Sequence, residues 1–278
     1  LLLGWPAAGL GTPPPSQATR PAAPASPPPP SFQPQQRPAL EVRRAPGPIR
    51  VDGQLDDPGW QGAARAGGFA EISPGDLTRP AVDTEAFVTY DDTHLYLAFR
   101  AQDDPRAVRA SLCDRDQIFN DDWIGILLDT YGDAAWTYEI FVNPLGIPGD
   151  LRWTPQTEDI TFDLVFDSRG RITSDGYAVE VAIPFASLRF PEQSEQTWRA
   201  TFLRTHPRNS RQQYSWAAID RDDPCLPCQF GTLSGIRDVH RGTSLEVLPS
   251  VLATQLGTLR DWEQPGLGLD NGQPDASL

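Results

Sequence analysis

Residues 85–100, with the sequence EAFVTYDDTHLYLAFR, decide the fold class of this chain. Apolar and polar side chains alternate over residues 85–90 and again over residues 94–100, and the Asp-Asp-Thr between them favours a tight turn. An alternation of period two is typical of a strand with one buried face. The stretch therefore predicts a β-hairpin.

The rest of the chain repeats this strand signature and contains little helix signal. Residues 123–129, WIGILLD, are almost continuously apolar and predict a central strand buried on both faces, and residues 136–142 alternate again. Short helical turns are predicted only after Pro58 and Pro184. Further strands are predicted at residues 161–166, 177–183, 198–204, 214–218 and 232–236. Many short strands separated by turn residues indicate an all-β fold, an antiparallel jelly-roll or immunoglobulin-like β-sandwich.

Residues 1–45 differ in composition from the remainder. Thirteen of the 29 prolines fall in residues 1–46, and residues 1–40 contain no Asp or Glu, which predicts a disordered Pro-rich tether. The first ten residues, LLLGWPAAGL, look like the end of the apolar region of a signal peptide. They predict export to the periplasm, outer membrane or cell surface of a Gram-negative-type bacterium. A disordered start of a cytosolic protein is the alternative.

The charge balance excludes one class of partner. The chain has 37 acidic and 23 basic residues, a net charge of −14, and all of its basic residues are Arg. Binding of nucleic acid needs clustered positive charge on the protein surface, so no nucleic-acid partner is expected. We expect a monomer.

The three cysteines are too few for a disulfide scaffold, and a single C-x-x-C is weak evidence for zinc. Cys225 and Cys228 flank Leu-Pro between turn residues, which favours a small loop disulfide in an exported protein. A redox role and an incidental pair of thiols are the alternatives. Cys113 is expected to remain free.

Six stretches occur in order along the chain, namely IRVDGQLDDPGW at 49–60, YDDTHLYL at 90–97, NDDWIGILLD at 120–129, FVNPLG at 141–146, residues 175–185 and FGTL at 230–233. Taken together they resemble carbohydrate-binding module family 9, a family of DOMON-like β-sandwiches. The resemblance covers about residues 46–237 and is closest to the subgroup that is fused to a C-terminal outer-membrane-type β-barrel. Residues 241–249 resemble the first strand of that barrel. The resemblance divides the chain into residues 1–45 (signal remnant and linker), 46–240 (sandwich) and 241–278 (truncated start of the barrel).

The resemblance also implies a site. Family members bind sugar chain ends between two aromatic side chains, with charged groups that hold hydroxyls and in some cases a structural calcium. The first aromatic falls on Phe119, whereas the second falls near Pro224, where no aromatic is present. The acidic and basic contacts fall on Gly125 and Phe141, so neither charge is present.

Other residues are candidates on their own chemistry. Trp153 is expected in a loop, as an exposed stacking platform or as packing over the loop, and Trp216 is either a ligand contact or core. Arg204 could bind a carboxylated sugar or form a surface ion pair. The predicted ligand-binding set is Phe119, Asp122, Trp153, Arg204 and Trp216. Asp121 and Asp129 are candidate calcium ligands, or else solvated carboxylates at strand ends.

No catalytic motif is present in the sequence. The many carboxylates make any acid pair uninformative, and the three His residues are scattered. The function predicted is therefore a non-catalytic carbohydrate-binding module of an envelope or exported protein linked to polysaccharide breakdown, which requires no cofactor. Its partners would be saccharide or polysaccharide ends and, in a longer chain, its own barrel. The alternatives are a structural module of an outer-membrane barrel protein without a sugar ligand, and an accessory or catalytic part of a glycoside hydrolase.

Overall fold

The structure is a computed structural model that describes residues 32–242 and four short strands after them. Contacts divide the chain into two units, Leu1–Gln33 and Pro34–Leu278, and every element below belongs to the second unit. The prediction of a disordered tether falls mostly on residues 1–31, which lie outside the described part. Within the described residues, no helix has the length and hydropathy needed to cross a bilayer.

The described residues form strands joined by turns. Short 3-10 turns occur at Pro58–Trp60, Phe185–Ser187 and Pro227–Gln229, the first two where turns were predicted. In chain order the strands are β1 (Ala39–Glu41), β2 (Arg43–Arg44), β3 (Ala64–Ala66), β4 (Ala70–Ser73), β5 (Thr84–Tyr90), β6 (His94–Gln102), β7 (Trp123–Asp129), β8 (Thr137–Val142), β9 (Pro148–Trp153), β10 (Glu158–Asp159), β11 (Asp167–Thr173), β12 (Gly176–Pro184), β13 (Glu195–Pro207), β14 (Arg211–Ser215), β15 (Gly231–Arg237), β16 (Leu252–Thr254), β17 (Gly257–Arg260), β18 (Gly268–Asn271) and β19 (Asp275–Ser277).

Two sheets make a sandwich, which confirms the predicted fold class. A nine-stranded sheet has the order β1-β15-β13-β7-β8-β9-β10, with β14 on β13 and β4 on β14. A six-stranded sheet has the order β11-β12-β6-β5-β2, with β3 also on β5. The pairings are antiparallel except that β1 joins β15, and β2 joins β5, in parallel. Beyond the sandwich, β16 pairs with β19 and β17 with β18.

The predicted hairpin is confirmed as β5 and β6, which pair from Thr84 with Ala101 to Tyr90 with Leu95. Its turn is held by one carboxylate. Asp91 Oδ1 accepts hydrogen bonds from the backbone N–H groups of Thr93 (2.7 Å) and His94 (2.8 Å). An Asp that binds the backbone two and three residues ahead is a standard way to stabilise a turn, which explains why the sequence signal was reliable.

The prediction of a central strand buried on both faces is confirmed for β7. Ile124, Ile126 and Leu128 point into the main core between the two sheets. Trp123 and Leu127, on the opposite face, belong to a second apolar cluster outside the sandwich interior. The outer face of the nine-stranded sheet is therefore apolar at its centre.

The start of the sandwich differs from the prediction. Strand pairing begins at Ala39 in β1 rather than at residue 46, because Ala39–Glu41 adds to the edge of β15. Residues 161–166 are not a strand. Their alternation buries Leu164 and Phe166, while the Leu164 N–H donates to the Asp150 carboxylate (2.5 Å) instead of to a neighbouring strand. The prediction that residues 241–278 begin a barrel stays a prediction.

Candidate functional site

A groove of about 630 Å³ lies over the second apolar cluster on the outer face of the nine-stranded sheet. Alternate residues of β7, β8, β9 and β13 form its floor, because side chains two apart on a strand share one face. The segment before β7 and the loop between Cys225 and Cys228 add to its lining through Phe119 and Leu226. The groove thus combines a rigid floor with loop-borne walls.

Three aromatic rings form the centre of this surface. The rings of Trp123 and Phe141 lie 4.5 Å apart between centroids. Half-buried Phe119 meets both edge to face, at 6.3 Å from Trp123 and 5.9 Å from Phe141. An arginine supports this arrangement from outside the groove, since Arg211 Nη2 donates to the Phe119 carbonyl oxygen.

Gly125 explains why the aromatic rings can come together. It pairs with Phe141 across β7 and β8, and a Cβ at Gly125 would lie only 2.8 Å from Phe141 Cδ1. The absent side chain leaves the space that the Phe141 ring occupies. The family resemblance implies charged contacts at positions 125 and 141. In this protein Gly125 and Phe141 form part of an apolar floor there instead.

The loop at the second clamp position contributes an aliphatic residue. Cys225 and Cys228 are joined by a disulfide, with their Cα atoms 5.4 Å apart, and Cys113 is free. The loop places Leu226 in the groove lining, while Pro224 is exposed and is not part of it. A ring bound in the groove would contact aromatic rings and the Leu226 side chain.

Carboxyl groups are the charged groups of the groove. Glu139, at the centre of β8, is only 7% exposed, and burial together with the nearby charge of Glu158 raises its pKa to about 8. Asp150 is also buried, which raises its pKa to about 6, although the Leu164 N–H and Arg115 partly oppose this shift. Asp116 and Glu158 complete the set. No basic side chain is among the lining residues, all of which lie in the described part of the chain.

The structure brings only part of the predicted ligand-binding set to this groove. Phe119 lines it. Trp153 is the last residue of β9 rather than a loop residue, and it lies two positions beyond Leu151 on the same strand, outside the lining. Trp216 is 2% exposed and packs on Phe202 at 5.3 Å in the main core. The prediction of Trp216 as a ligand contact is therefore wrong.

Arg204 and Asp122 are corrected for the same reason, since both are completely enclosed. Arg204 Nη2 donates to the Asp103 carboxylate (3.0 Å), and its Nη1 donates to the Asp83 carbonyl (3.1 Å). Asp122 accepts a hydrogen bond from Arg208 Nη1 (2.9 Å). The Nη2 of the same arginine donates to the Asp103 carboxylate (2.5 Å). These ion pairs satisfy buried charges at one end of the sandwich interior, so the residues stabilise the fold rather than meet a ligand.

The predicted calcium pair is not assembled. Asp121 lies two residues before β7 and Asp129 ends it, so the length of the strand holds the two roughly 20 Å or more apart. Asp121 accepts from the Ser111 N–H (2.8 Å) and Asn143 Nδ2 (3.0 Å). Asp129 accepts from three backbone N–H groups of the turn that follows it. Protein donors thus occupy both carboxylates.

A different acidic cluster, Asp116, Asp150 and Asp163, has oxygens within 4.8 Å of one another. The guanidinium of Arg115 forms ion pairs with all three carboxylates. Its positive charge already stands where a cation would bind, so the cluster is explained without a metal.

Sequence reasoning missed Trp123, Glu139 and Leu226 as groove residues. A signal existed for Glu139, because a Glu between two buried apolar residues of a strand is unusual unless it has a partner. No comparable signal marked Leu226, whose place in the groove depends on how the disulfide loop folds over the sheet.

Comparisons with known proteins agree with the observed fold. The model of the family described as carbohydrate family 9 binding domain-like matches residues 51–202, more than half of the chain. No significant match is found among curated proteins.

Similar solved structures include a carbohydrate binding module family 9 from Caldicellulosiruptor kristjanssonii. In its complex with cellotriose it is 18% identical with a TM-score of 0.51, over 76% of this chain and 98% of that chain. In its complex with glucose the identity is 19% and the TM-score 0.52, over 75% and 100%. A protein from Bacteroides uniformis, described as a candidate carbohydrate-binding protein, is 15% identical with a TM-score of 0.54, over 71% and 98%. At these identities the structures show a shared fold. Because the family model covers more than half of it, the chain belongs to the carbohydrate family 9 binding domain-like family and is a non-catalytic carbohydrate-binding module.

Proposed function

We propose that the groove over Trp123 and Phe141 is the saccharide-binding site of this module. The observation that carries the proposal is half-buried Phe119 in the lining of an open groove, with Trp123 and Phe141, 6% and 4% exposed, packed against it at centroid distances of 6.3 and 5.9 Å. A pyranose has a face of C–H bonds that packs on the π-face or the edge of an aromatic ring, so such a surface binds sugar rings.

The walls and the polar groups would then define the pose. Leu226 and Phe119 limit the groove, and the sugar hydroxyls meet the carboxyl groups of Glu139 and Glu158 and the amides of Gln117 and Gln213. Hydroxyl groups donate hydrogen bonds to carboxylates, and charged acceptors make the stronger bonds of this kind. The apolar floor supplies contact area and the polar rim orients the ring. No cofactor takes part in this binding.

The ligands of similar structures indicate where to begin. Modules of the same fold are solved with cellotriose and with glucose. We propose glucose and short β-glucans as the first ligands to test. A glucan would bind by one of its ends, because loops bound the groove.

The cellular setting is a further proposal. A disulfide between Cys225 and Cys228 is typical of an oxidising compartment, and it supports export to the periplasm, outer membrane or cell surface. In that setting the module would act as a monomer that holds polysaccharide during its breakdown. The resemblance of residues 241–249 to a barrel strand supports an outer-membrane-type barrel as its covalent partner.

Isothermal titration of the full chain with glucose and cellotriose tests the proposed function. Saturable heat with either sugar is expected, together with quenching of tryptophan fluorescence because Trp123 lies in the floor. Absence of heat with both sugars, from a protein that melts cooperatively, would contradict it.

A further inference from the structure

The groove has an unusual charge pattern, in that its charged side chains are all acidic. Building on the saccharide site proposed above, we propose that Glu139 is a specificity-determining residue that selects sugars with an amino group over sugars with a carboxylate. The proposal names a ligand class, cationic amino sugars, that nothing else assigns to this chain.

Glu139 occupies the middle of the groove floor. It lies on β8 between Leu127 of β7 and Leu151 of β9, its cross-strand neighbours. All three side chains line the groove. Because Phe141 is two residues further along β8, the carboxyl group stands next to the aromatic rings on the same face.

The Glu139 carboxyl has no partner in the described part of the chain. The residue is 7% exposed, and its carboxyl oxygens, which are open to the groove, form no hydrogen bond or ion pair with any described residue. Glu180 provides the comparison within the same protein. Glu180 is fully buried, and it accepts from the N–H groups of Asp52 (2.9 Å) and Gly53 (2.7 Å) and from Trp60 Nε1 (2.7 Å).

A buried carboxyl group without a partner is destabilising, and most buried polar groups in proteins are hydrogen-bonded. Such a group, placed on the floor of an open groove, is expected to find its partner in a ligand. Burial raises its pKa to about 8, so the free protein holds it protonated at pH 7. An ammonium group that binds there would favour the carboxylate and cause release of the proton.

The surroundings of Glu139 point to the same charge preference. Glu158 of β10 pairs with Trp153, two residues beyond the Leu151 that pairs with Glu139, so Glu158 shares the outer face with Glu139. Asp150 pairs with Ile140 and its side chain points to the opposite face, where it binds Arg115, whereas β7 and β13 present apolar side chains to the groove. Arg115 is committed to Asp150, Asp116 and Asp163. Glu158 is therefore the charged side chain that acts on Glu139 from the same face, and its negative charge favours an ammonium group over a carboxylate.

The sugar ring and its amino group would divide the groove between them. The ring would pack on Phe119 and on the edges of Trp123 and Phe141, and the amino group would bind Glu139. A ring with an equatorial amino substituent can offer its C–H face and the ammonium together, since the substituent lies near the plane of the ring.

The experiment is isothermal titration of the full chain at pH 7 with three sugars of one ring form, namely glucose, glucosamine and glucuronic acid. We expect glucosamine to bind roughly tenfold more tightly than glucose, which corresponds to about 1.4 kcal/mol, and glucuronic acid to bind most weakly. Titration in two buffers of different ionisation enthalpy should show proton release with glucosamine alone.

The variant Glu139→Gln resembles the protonated carboxyl in shape and should fold, which a thermal melt verifies. It should lose both the preference for glucosamine over glucose and the proton release, whatever the change in its affinity for glucose itself. The matched control is Glu195→Gln, on an exposed glutamate paired with Arg237 away from the groove, and it should keep both. Equal binding of the three sugars, or an unchanged order in Glu139→Gln, overturns this inference while leaving the saccharide site in place. Failure of every sugar to bind overturns the proposed function and this inference together.

Discussion

The indole Nε1 of Trp60 donates a 2.7 Å hydrogen bond to Oε1 of Glu180, a residue 120 positions later in the chain. The other oxygen of the same carboxylate accepts from the N–H groups of Asp52 and Gly53. The turn at Gly53 has a φ of +85°, a backbone conformation that glycine adopts most readily. One carboxylate on β12 therefore anchors the segment between β2 and β3 of the six-stranded sheet.

We predict that Glu180→Gln destabilises the fold by about 2–3 kcal/mol. An amide has one acceptor oxygen and an NH₂ group, so it cannot satisfy three N–H donors, and a buried donor left without an acceptor costs about 1–3 kcal/mol. The free energy of unfolding, measured by urea titration, tests this. Glu195→Gln is the control and should change it by less than about 0.5 kcal/mol, because Glu195 is exposed. Equal stabilities of the two variants would contradict the role of Glu180.

A second prediction concerns the dependence of stability on pH. Burial raises the pKa of Glu139 to about 8 in the folded protein, from the 4.5 that is ordinary for a glutamate. Between these values the folded state binds more protons than the unfolded state, so stability must fall as pH rises. Below about pH 4.5 Glu139 is protonated in both states and its titration does not affect stability. Above about pH 8 it is ionised in both states, and its destabilising effect on the folded state has reached its full size.

Glu139→Gln should remove this part of the pH dependence. We expect the variant to gain stability relative to the wild type between pH 5 and pH 9, by on the order of a few kcal/mol. Urea unfolding of both proteins across this range gives the difference, in which other titrating groups such as Asp150 cancel. A constant difference between the two proteins over the whole range would show that Glu139 titrates normally.

The sandwich could be predicted from the sequence because its strands have local signals. The alternation of β5 and β6 and the Asp91 turn between them are contained in one short stretch, and β7 is apolar enough to be recognised as central. The edge strands β1 and β11 were missed, because short or polar segments acquire strand structure only from their neighbours. Their assignment depends on tertiary pairing rather than on propensity.

The site was less accessible to sequence reasoning. Phe119 was identified through the family resemblance, but Asp122 and Arg204 have the chemistry of ligand contacts and are used as buried ion pairs. Whether a charged residue faces a groove or the end of the sandwich interior depends on its strand face. Arg204 continues the inward-facing series of β13 that contains Phe202, so its neighbours determine its role more than its charge does.

The disulfide loop yields a third prediction, which concerns both thiol content and binding. Under denaturing conditions without reductant, one thiol, that of Cys113, should react, and three should react after reduction. The double variant Cys225→Ser with Cys228→Ser should lose about 2 kcal/mol of stability, the chain-entropy value for a small closed loop. Because Leu226 lines the groove from within this loop, saccharide affinity should also fall several-fold. Three reactive thiols before reduction would contradict the disulfide, and unchanged affinity would separate the loop from the site.

The last prediction separates the groove from the rest of the outer face by comparing two aromatic residues. Phe119 lines the groove and is half-buried, whereas Trp153, also half-buried, ends β9 outside the lining. Phe119→Ala should weaken binding of glucose by about 1–3 kcal/mol, the range measured for aromatic stacking on bases, whereas Trp153→Ala should leave it unchanged. Removal of a buried Phe can cost about 3–5 kcal/mol of stability, so thermal melts of both variants must accompany the titrations. Fluorescence titration with glucose then compares only variants that remain folded at the working temperature. Loss of binding in Trp153→Ala but not in Phe119→Ala would move the saccharide site from the groove to the end of β9.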